Sequence, residues 1–282
     1  MFIQSDPKRK LREWQDYTLI VPSVSVGNVG QLAVDLLIST LWMERVGHIH
    51  HESILPLVGN DPFAHEDFND CKLVTSCDVY ESIEHKVVVI QQRAPFVRGK
   101  RGLYRQWLKE WITSKSFAKL VILTSSHSEE RLDIQLQGDQ LRFLASKSME
   151  ELTTGQRFRT SPLNWMELER RHTFPAPTPE ELQNGLKQPD CIYIPGGGIA
   201  KSLLQECGKE MPVLVLLLFC SEGDNAQDAI FLASRLNQWL DLVDMKPKKN
   251  EEGEIIKPSP GWKIPLSWRH LFGARVDQTL FH

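Results

Sequence analysis

YTLIV (Tyr17–Val21) followed by SVSVGNVGQLAVDLLIST (Ser23–Thr40) is the stretch on which the fold turns. The first run is apolar and carries β-branched residues, which predicts a strand. In the second, Val29, Leu32, Ala33, Leu36, Leu37 and Leu41 recur at i, i+3, i+4, i+7, i+8 and i+12, one face of a helix. Between them lie Gly27 and Gly30, with Asn28 placed as an N-cap whose side-chain oxygen would take an orphan amide of the first turn. A strand, a glycine turn and a helix open many α/β domains, and the turn often lies where ligands bind.

Beyond this unit, strand and helix patterns alternate along the chain. Val46–His50, Cys77–Glu84, Lys86–Gln92, Leu120–Thr124, Cys191–Ile194 and Val213–Cys220 read as strands. Gly102–Ile112 reads as a helix with Leu103, Trp107, Leu108 and Trp111 on one side, and Ile199–Cys207 as a second. Asp224 is placed to cap a third, with Ala229, Ile230, Ala233, Leu236, Leu240 and Val243 facing inward. The expected fold is α/β: one domain over residues 17–244, with a largely parallel sheet flanked by helices, phosphorylase- or hydrolase-like. Residues 1–16 form a charged extension, 172–190 a proline-rich surface insertion, and 245–282 a charged linker with a tryptophan-containing tail.

Hydrophobic residues make up 41% of the 282, enough for a core of this size. The formal net charge of −3 argues against a general affinity for nucleic acid or anionic membranes. The longest apolar run, Val213–Cys220, falls far short of the about 20 residues that span a bilayer, and the N-terminus lacks the apolar segment of a signal peptide. Five cysteines, an odd number without CxxC spacing, read as reduced structural thiols of a soluble cytosolic or nuclear protein.

The candidate catalytic motifs are each incomplete. Gly27-Asn28-Val29-Gly30 has its glycines three apart, and Ala33 stands where a dinucleotide fingerprint needs its third glycine. Gly196-Gly197-Gly198-Ile199-Ala200-Lys201-Ser202 resembles a phosphate loop, but Ala200 replaces the glycine required before Lys-Ser. Ser125, Ser126, His127 and Ser128, with Asp133, are the residue types of a hydrolase, yet they are neighbours on one short segment and no GxSxG elbow is present. Among His48, His50, His51 and Glu52, His48 and His50 would share one face of a strand, but no third ligand is placed by spacing. Neither a metal nor a cofactor is expected. The end of the chain reads Leu280-Phe281-His282, an apolar–aromatic pair suited to filling a groove on a partner.

Longer blocks carry a family resemblance: VPSVSVGNVGQLAVDLLIST (21–40), PLVGNDPFA (56–64), VILTSSHSEERLDIQL (121–136), YIPGGGIAKSL (193–203), FCSEGDNAQDA (219–229) and WKIPLSWRHLFG (262–273). In these the chain resembles the proteasome assembly chaperone 2 family over nearly its whole length. The resemblance implies a phosphorylase-related α/β fold without catalytic residues. It implies a heterodimer with proteasome assembly chaperone 1 that binds the outer face of the 20S proteasome α ring, in cytoplasm and nucleus. There the pair would promote ring formation and prevent off-pathway ring dimers and premature regulator binding. Family members end in a hydrophobic-Tyr-any motif that enters pockets between α subunits; Leu280, Phe281 and His282 stand at those positions. Phe281 lacks the tyrosine hydroxyl, a hydrogen bond of about 0.5–1.5 kcal/mol. The roles of Gly27, Asn28, Gly30, Gly196, Gly197 and Gly198 are left open. The alternative reading is a phosphorylase- or hydrolase-like enzyme that uses those glycine loops.

Overall fold

A computed structural model describes residues 1–8, 12–64, 72–153, 157–172, 190–245, 248–249, 255–257 and 261–270. Its centre is an eight-stranded sheet. In chain order the strands are β1 (Phe2–Gln4), β2 (Thr18–Pro22), β3 (Glu44–Ile49), β4 (Cys77–Ser82), β5 (Val87–Gln92), β6 (Lys119–His127), β7 (Leu141–Ala145) and β8 (Val213–Cys220). The spatial order is β1-β3-β4-β5-β2-β6-β8-β7. The four strands β5, β2, β6 and β8 run parallel to one another. β1, β3 and β4 extend one side and β7 the other, all through antiparallel pairings.

Helices cover both faces because each central strand is apolar on both. Ile20, Val89, Val121, Leu214 and Leu216 pack on one side, with residues of α1 (Val29–Thr40) and α5 (Ala226–Leu240). Leu19, Val88, Leu120, Val213 and Val215 pack on the other, with α2 (Arg101–Lys115) and α4 (Ala200–Cys207). This is the period of two expected of a strand, with neither face left to water. A short helix, α3 (Lys147–Leu152), follows β7 and is capped by Ser146, whose hydroxyl accepts from Met149 N at 3.3 Å.

The expected α/β architecture therefore forms, with local differences. Residues 1–16, read as an extension, supply edge strand β1 and the buried Trp14, whose Nε1 donates to Glu81 Oε1 at 3.0 Å. Gly47 makes room for Phe2, whose ring would lie 2.5 Å from a Cβ at that position. In α2 the buried positions are Tyr104, Leu108, Trp111 and Ile112, and Leu103 faces solvent, one position off the expected stripe. Leu232 and Trp239 join the buried face of α5. Strand β7 follows polar Gln140 and carries Arg142, which is wholly buried against Glu169 at 3.2 Å. Of the 172–190 insertion, 173–189 lies outside the described residues; at its base Arg171–His172 pairs antiparallel with Asp190–Cys191. The expected strand Cys191–Ile194 shrinks to that ribbon. In the 245–260 linker, Lys248–Lys249 pairs with Ile255–Lys257. Among the described residues no helix is long and apolar enough to cross a membrane.

Candidate functional site

The parallel strands β2, β6 and β8 end side by side, with Pro22 opposite Leu123 and Cys220 opposite His127. The carboxyl ends of parallel strands are where open α/β sheets hold their ligands. Both glycine-rich loops singled out from the sequence meet here, although they lie far apart along the chain.

They meet by bonding each other. Ser23 Oγ donates to Gly197 O at 2.8 Å and accepts from Ile199 N at 2.9 Å. Val26 N donates to Gly196 O, and Thr124 Oγ1 donates to Gly197 O at 3.1 Å. Before and at the start of α4, three amides that could face a phosphate are engaged within the chain: Gly197 N on Ile194 O, Ile199 N on Ser23 Oγ, Ala200 N on Gly197 O. Two glycines admit this packing. Gly198 has φ +63°, and a Cβ there would lie 2.3 Å from Ser23 Oγ; a Cβ on Gly30 would lie 2.4 Å from Leu123 O. Gly27 backs onto the Asn225 side chain, which is buried and donates to Ser221 O and Asp228 Oδ2.

Asn28 does not cap α1 with its side chain. It adopts a left-handed conformation, φ 54°, and its N–H closes a turn onto Ser25 O. Asparagine tolerates that region, and the conformation reverses the chain in place of capping it. Asp224 does serve the start of α5, its Oδ1 accepting from Ala226 N at 3.1 Å.

Ser125 and Ser126 of the hydrolase-like segment lie inside β6, longer than expected, and are buried, whereas Ser128 follows the strand in a 3-10 turn. Ser125 Oγ donates to Val26 O at 2.5 Å and Ser126 Oγ to Pro195 O at 2.7 Å. Ser25 Oγ ties the segment down further, accepting from Ser125 N and donating to Ser125 Oγ at 2.8 Å. Each serine proton thus goes to a neighbouring oxygen, and His127 instead pairs with Glu129 at 3.2 Å. A nucleophile needs its proton taken by a base, and neither buried serine offers its proton to His127. Cys220, at the end of β8, donates weakly to Val26 O at 3.7 Å, and burial pushes its thiol up to about 11.

Elsewhere, His51 is used in packing. Its Nδ1 accepts from Ser53 N at 3.1 Å, its ring meets Tyr104 edge-on, and burial lowers its pKa. Among the described residues no group of three or more His, Cys, Asp or Glu side chains is placed to hold a metal ion. Leu280, Phe281 and His282 lie outside the described residues.

Two features are not evident from sequence patterns. Asp35, on the apolar helix α1, is buried against Arg93 at 2.8 Å and accepts from Gln91 Nε2 at 2.6 Å. Its one signal is a lone carboxylate among apolar residues. Burial opposes the Arg93 charge, but the Asp35 carboxylate holds its pKa above the ordinary value. The second is a hollow of about 800 Å³ at the carboxyl end of α1, with Trp42 at its mouth.

The PAC2 family model matches residues 19–252. The chain is 40% identical to proteasome assembly chaperone 2 of Danio rerio over 282 residues, all of both chains. It is 40% identical to proteasome assembly chaperone 2 of Homo sapiens, covering 94% of this chain and 95% of the human one. In fold it is similar to Pyrococcus furiosus PbaB, an archaeal proteasome activator, at a TM-score of 0.56 and 13% identity over 86% of this chain and 88% of that one. It is also similar to P. furiosus PbaA, an archaeal homolog of proteasome-assembly chaperone, at a TM-score of 0.55 and 16% identity over 82% and 84%. With the family match over most of the chain, the near full-length identity and the sheet all in agreement, the chain belongs to the PAC2 family.

Proposed function

We propose that this chain is a non-enzymatic chaperone for assembly of the 20S proteasome. It acts in cytoplasm and nucleus as a heterodimer with proteasome assembly chaperone 1. The pair binds the outer face of the α ring, promotes its formation and prevents off-pathway ring dimers and premature regulator binding. Leu280, Phe281 and His282 dock in pockets of that ring.

The observation that carries the reading is the self-bonded switch point. An enzyme of this architecture needs loop amides and hydroxyls free for substrate, and here Ser23, Ser25, Ser125, Ser126 and Ile199 N spend theirs on one another and on backbone carbonyls. Loops bonded to each other, in a family whose relatives are named for assembly, support a role in binding. The near-identical lengths of this chain and its Danio rerio relative support carrying the whole role across.

The test is a tagged pull-down from native cells at moderate salt, beside a chain shortened to end at Thr279. Recovery of proteasome assembly chaperone 1 and α subunits by the full chain, with α subunits depleted and the partner retained after shortening, is the expected result. Recovery of neither would sink the heterodimer reading. Equal α-subunit recovery from both chains would remove the tail from the mechanism. The enzyme alternative has its own check: a native-state ligand raises the melting temperature, and inorganic phosphate or a nucleoside at millimolar concentration is expected to leave it unchanged.

A further inference from the structure

Four consecutive apolar residues, Leu55-Pro56-Leu57-Val58, are all exposed, Leu55 by 43%, Leu57 by 44% and Val58 by 68%. An extended segment that serves only its own domain turns alternate side chains inward. An exposed apolar run of this length has no place on a surface unless it is used. The run is also held in shape. Leu55 N donates to Pro95 O at 3.1 Å, Leu57 N donates to Ser76 Oγ at 2.7 Å, and Ser76 Oγ donates back to Leu55 O at 2.8 Å. It is a fixed strip, and Pro95, exposed beside Leu55, widens it.

Each end of the strip carries a further binding group. At one end Val58 enters the strand Val58–Asn60, which pairs antiparallel with Leu73–Thr75. That ribbon has two strands, so among the described residues the outer edge of Val58–Asn60 is open. An open edge is a template for one more strand. At the other end Val97 N donates to Ser53 O at 2.8 Å, and Arg98 follows directly. Arg98 and Arg101 are exposed, and neither has a carboxylate partner among the described residues. Glu52, which lies beside Ser53 in the chain, is already held by Lys100 at 3.4 Å. Unpaired arginines in a chain of net charge −3 are open to a carboxylate, which a guanidinium can bind through two hydrogen bonds.

We propose that this strip receives an extended, acidic segment of a partner protein. The segment's backbone adds a strand to Val58–Asn60, its apolar side chains cover Leu55, Leu57 and Val58, and a carboxylate pairs with Arg98 or Arg101. Exposed apolar and basic residues together also suit an anionic membrane. The open strand edge favours a peptide, because a peptide satisfies the edge amides and carbonyls and an acyl layer does not. The proposal does not rest on the proteasome reading and does not involve Leu280–His282.

The test is site-specific photo-crosslinking in native cells, with the tagged full-length chain carrying benzoylphenylalanine at position 57. A second chain carries it at position 152, where Leu152 is exposed on α3. Adducts are mapped to the residue by mass spectrometry. The expected result is a position-57 adduct with an Asp- or Glu-bearing segment of another protein, absent from position 152. Its yield should fall about tenfold with Arg98→Glu and Arg101→Glu together. The charge-keeping Arg98→Lys and Arg101→Lys pair should retain most of it. A synthetic copy of the mapped segment should bind the purified chain, and less tightly as salt is raised. An adduct with lipid would overturn the proposal in favour of a membrane, and one with a second copy of this chain would make the strip a homotypic contact. A segment without acidic residues, a yield indifferent to charge reversal, or no adduct above that at position 152 would each overturn it as well. The readout is the chemistry of the crosslinked segment, whichever protein carries it, so this failure and failure of the pull-down are distinguishable.

Discussion

Helix α1 starts in one kind of surroundings and ends in another. At its amino end, Gly30 presses on the β6 backbone and the two glycine loops bond each other shut. At its carboxyl end, Trp42 and Leu73 stand exposed around a hollow of about 800 Å³. The closed end is where an α/β enzyme would keep its ligand, and the open end lies away from the switch point. The scaffold has thus made its binding crevice part of the core and carries exposed apolar surface elsewhere. Closure rests on the serine hydroxyls and loop amides that partner each other and so gain nothing from admitting a ligand, although Asn225 Oδ1 beside Gly27 is buried without a hydrogen-bond partner.

Substitutions should therefore cost much stability at the closed end and little at the open one. The largest loss is expected from Gly30→Val, because its Cβ would lie 2.4 Å from a backbone carbonyl that cannot rotate away. Overpacking of this kind costs about 3 kcal/mol or more, read as a shifted midpoint in urea unfolding. A midpoint unchanged within error would mean that the closed end is loosely packed. Next is Asp35→Ala, which leaves Arg93 without its carboxylate. Breaking a buried pair costs about 3–5 kcal/mol, and partial exposure of Arg93 puts this one at the lower bound. Ser23→Ala removes one donor to Gly197 O and the acceptor for Ile199 N, for about 1–2 kcal/mol. The same variant should not create phosphate binding, and a phosphate-dependent rise in its melting temperature would show that the loops retain a latent site.

The smallest effect is expected at the open end. Trp42→Gly loses the Lys263 contact but relieves a left-handed residue, two terms of about 1 kcal/mol each with opposite sign. A loss well above that would show Trp42 to be part of the core. Cysteine chemistry probes the closed end without a mutation. Burial raises the Cys77 thiol to about 12 and those of Cys207 and Cys220 to about 11. At pH 8 a thiol of pKa 11 is about one-thousandth thiolate. Iodoacetamide should therefore spare all three in the folded chain and modify them after unfolding, as mapped by mass spectrometry. Rapid labelling of Cys220 in the native protein would mean that the switch point opens.

Much of the fold is legible in the sequence because it rests on local patterns. Val213–Cys220 is apolar at every position, which marks a strand covered on both faces, and it forms with those boundaries. The α1 stripe is readable from its spacing. β7 is not, because Gln140 and Arg142 interrupt its apolar run, and only the pairing of Arg142 with Glu169 makes that charge compatible with burial. Leu103 falls outside the buried face because a helix face known only from spacing can rotate by one residue until its partner is known. The incomplete glycine motifs are legible as failures, since Ala33 and Ala200 stand where glycines are required.

The alternating elements, the lack of a complete catalytic motif and the family resemblance are thus all fixed by neighbouring residues. That β2, β6 and β8 lie side by side, and that Ser23 reaches Gly197 across 174 positions of chain, emerges only in the folded molecule. So does the direction of Ser125 and Ser126, which point at carbonyls. Those facts depend on strand order, which is set by hydrogen bonds and packing between distant segments, and no local pattern encodes which distant segment a hydroxyl will meet.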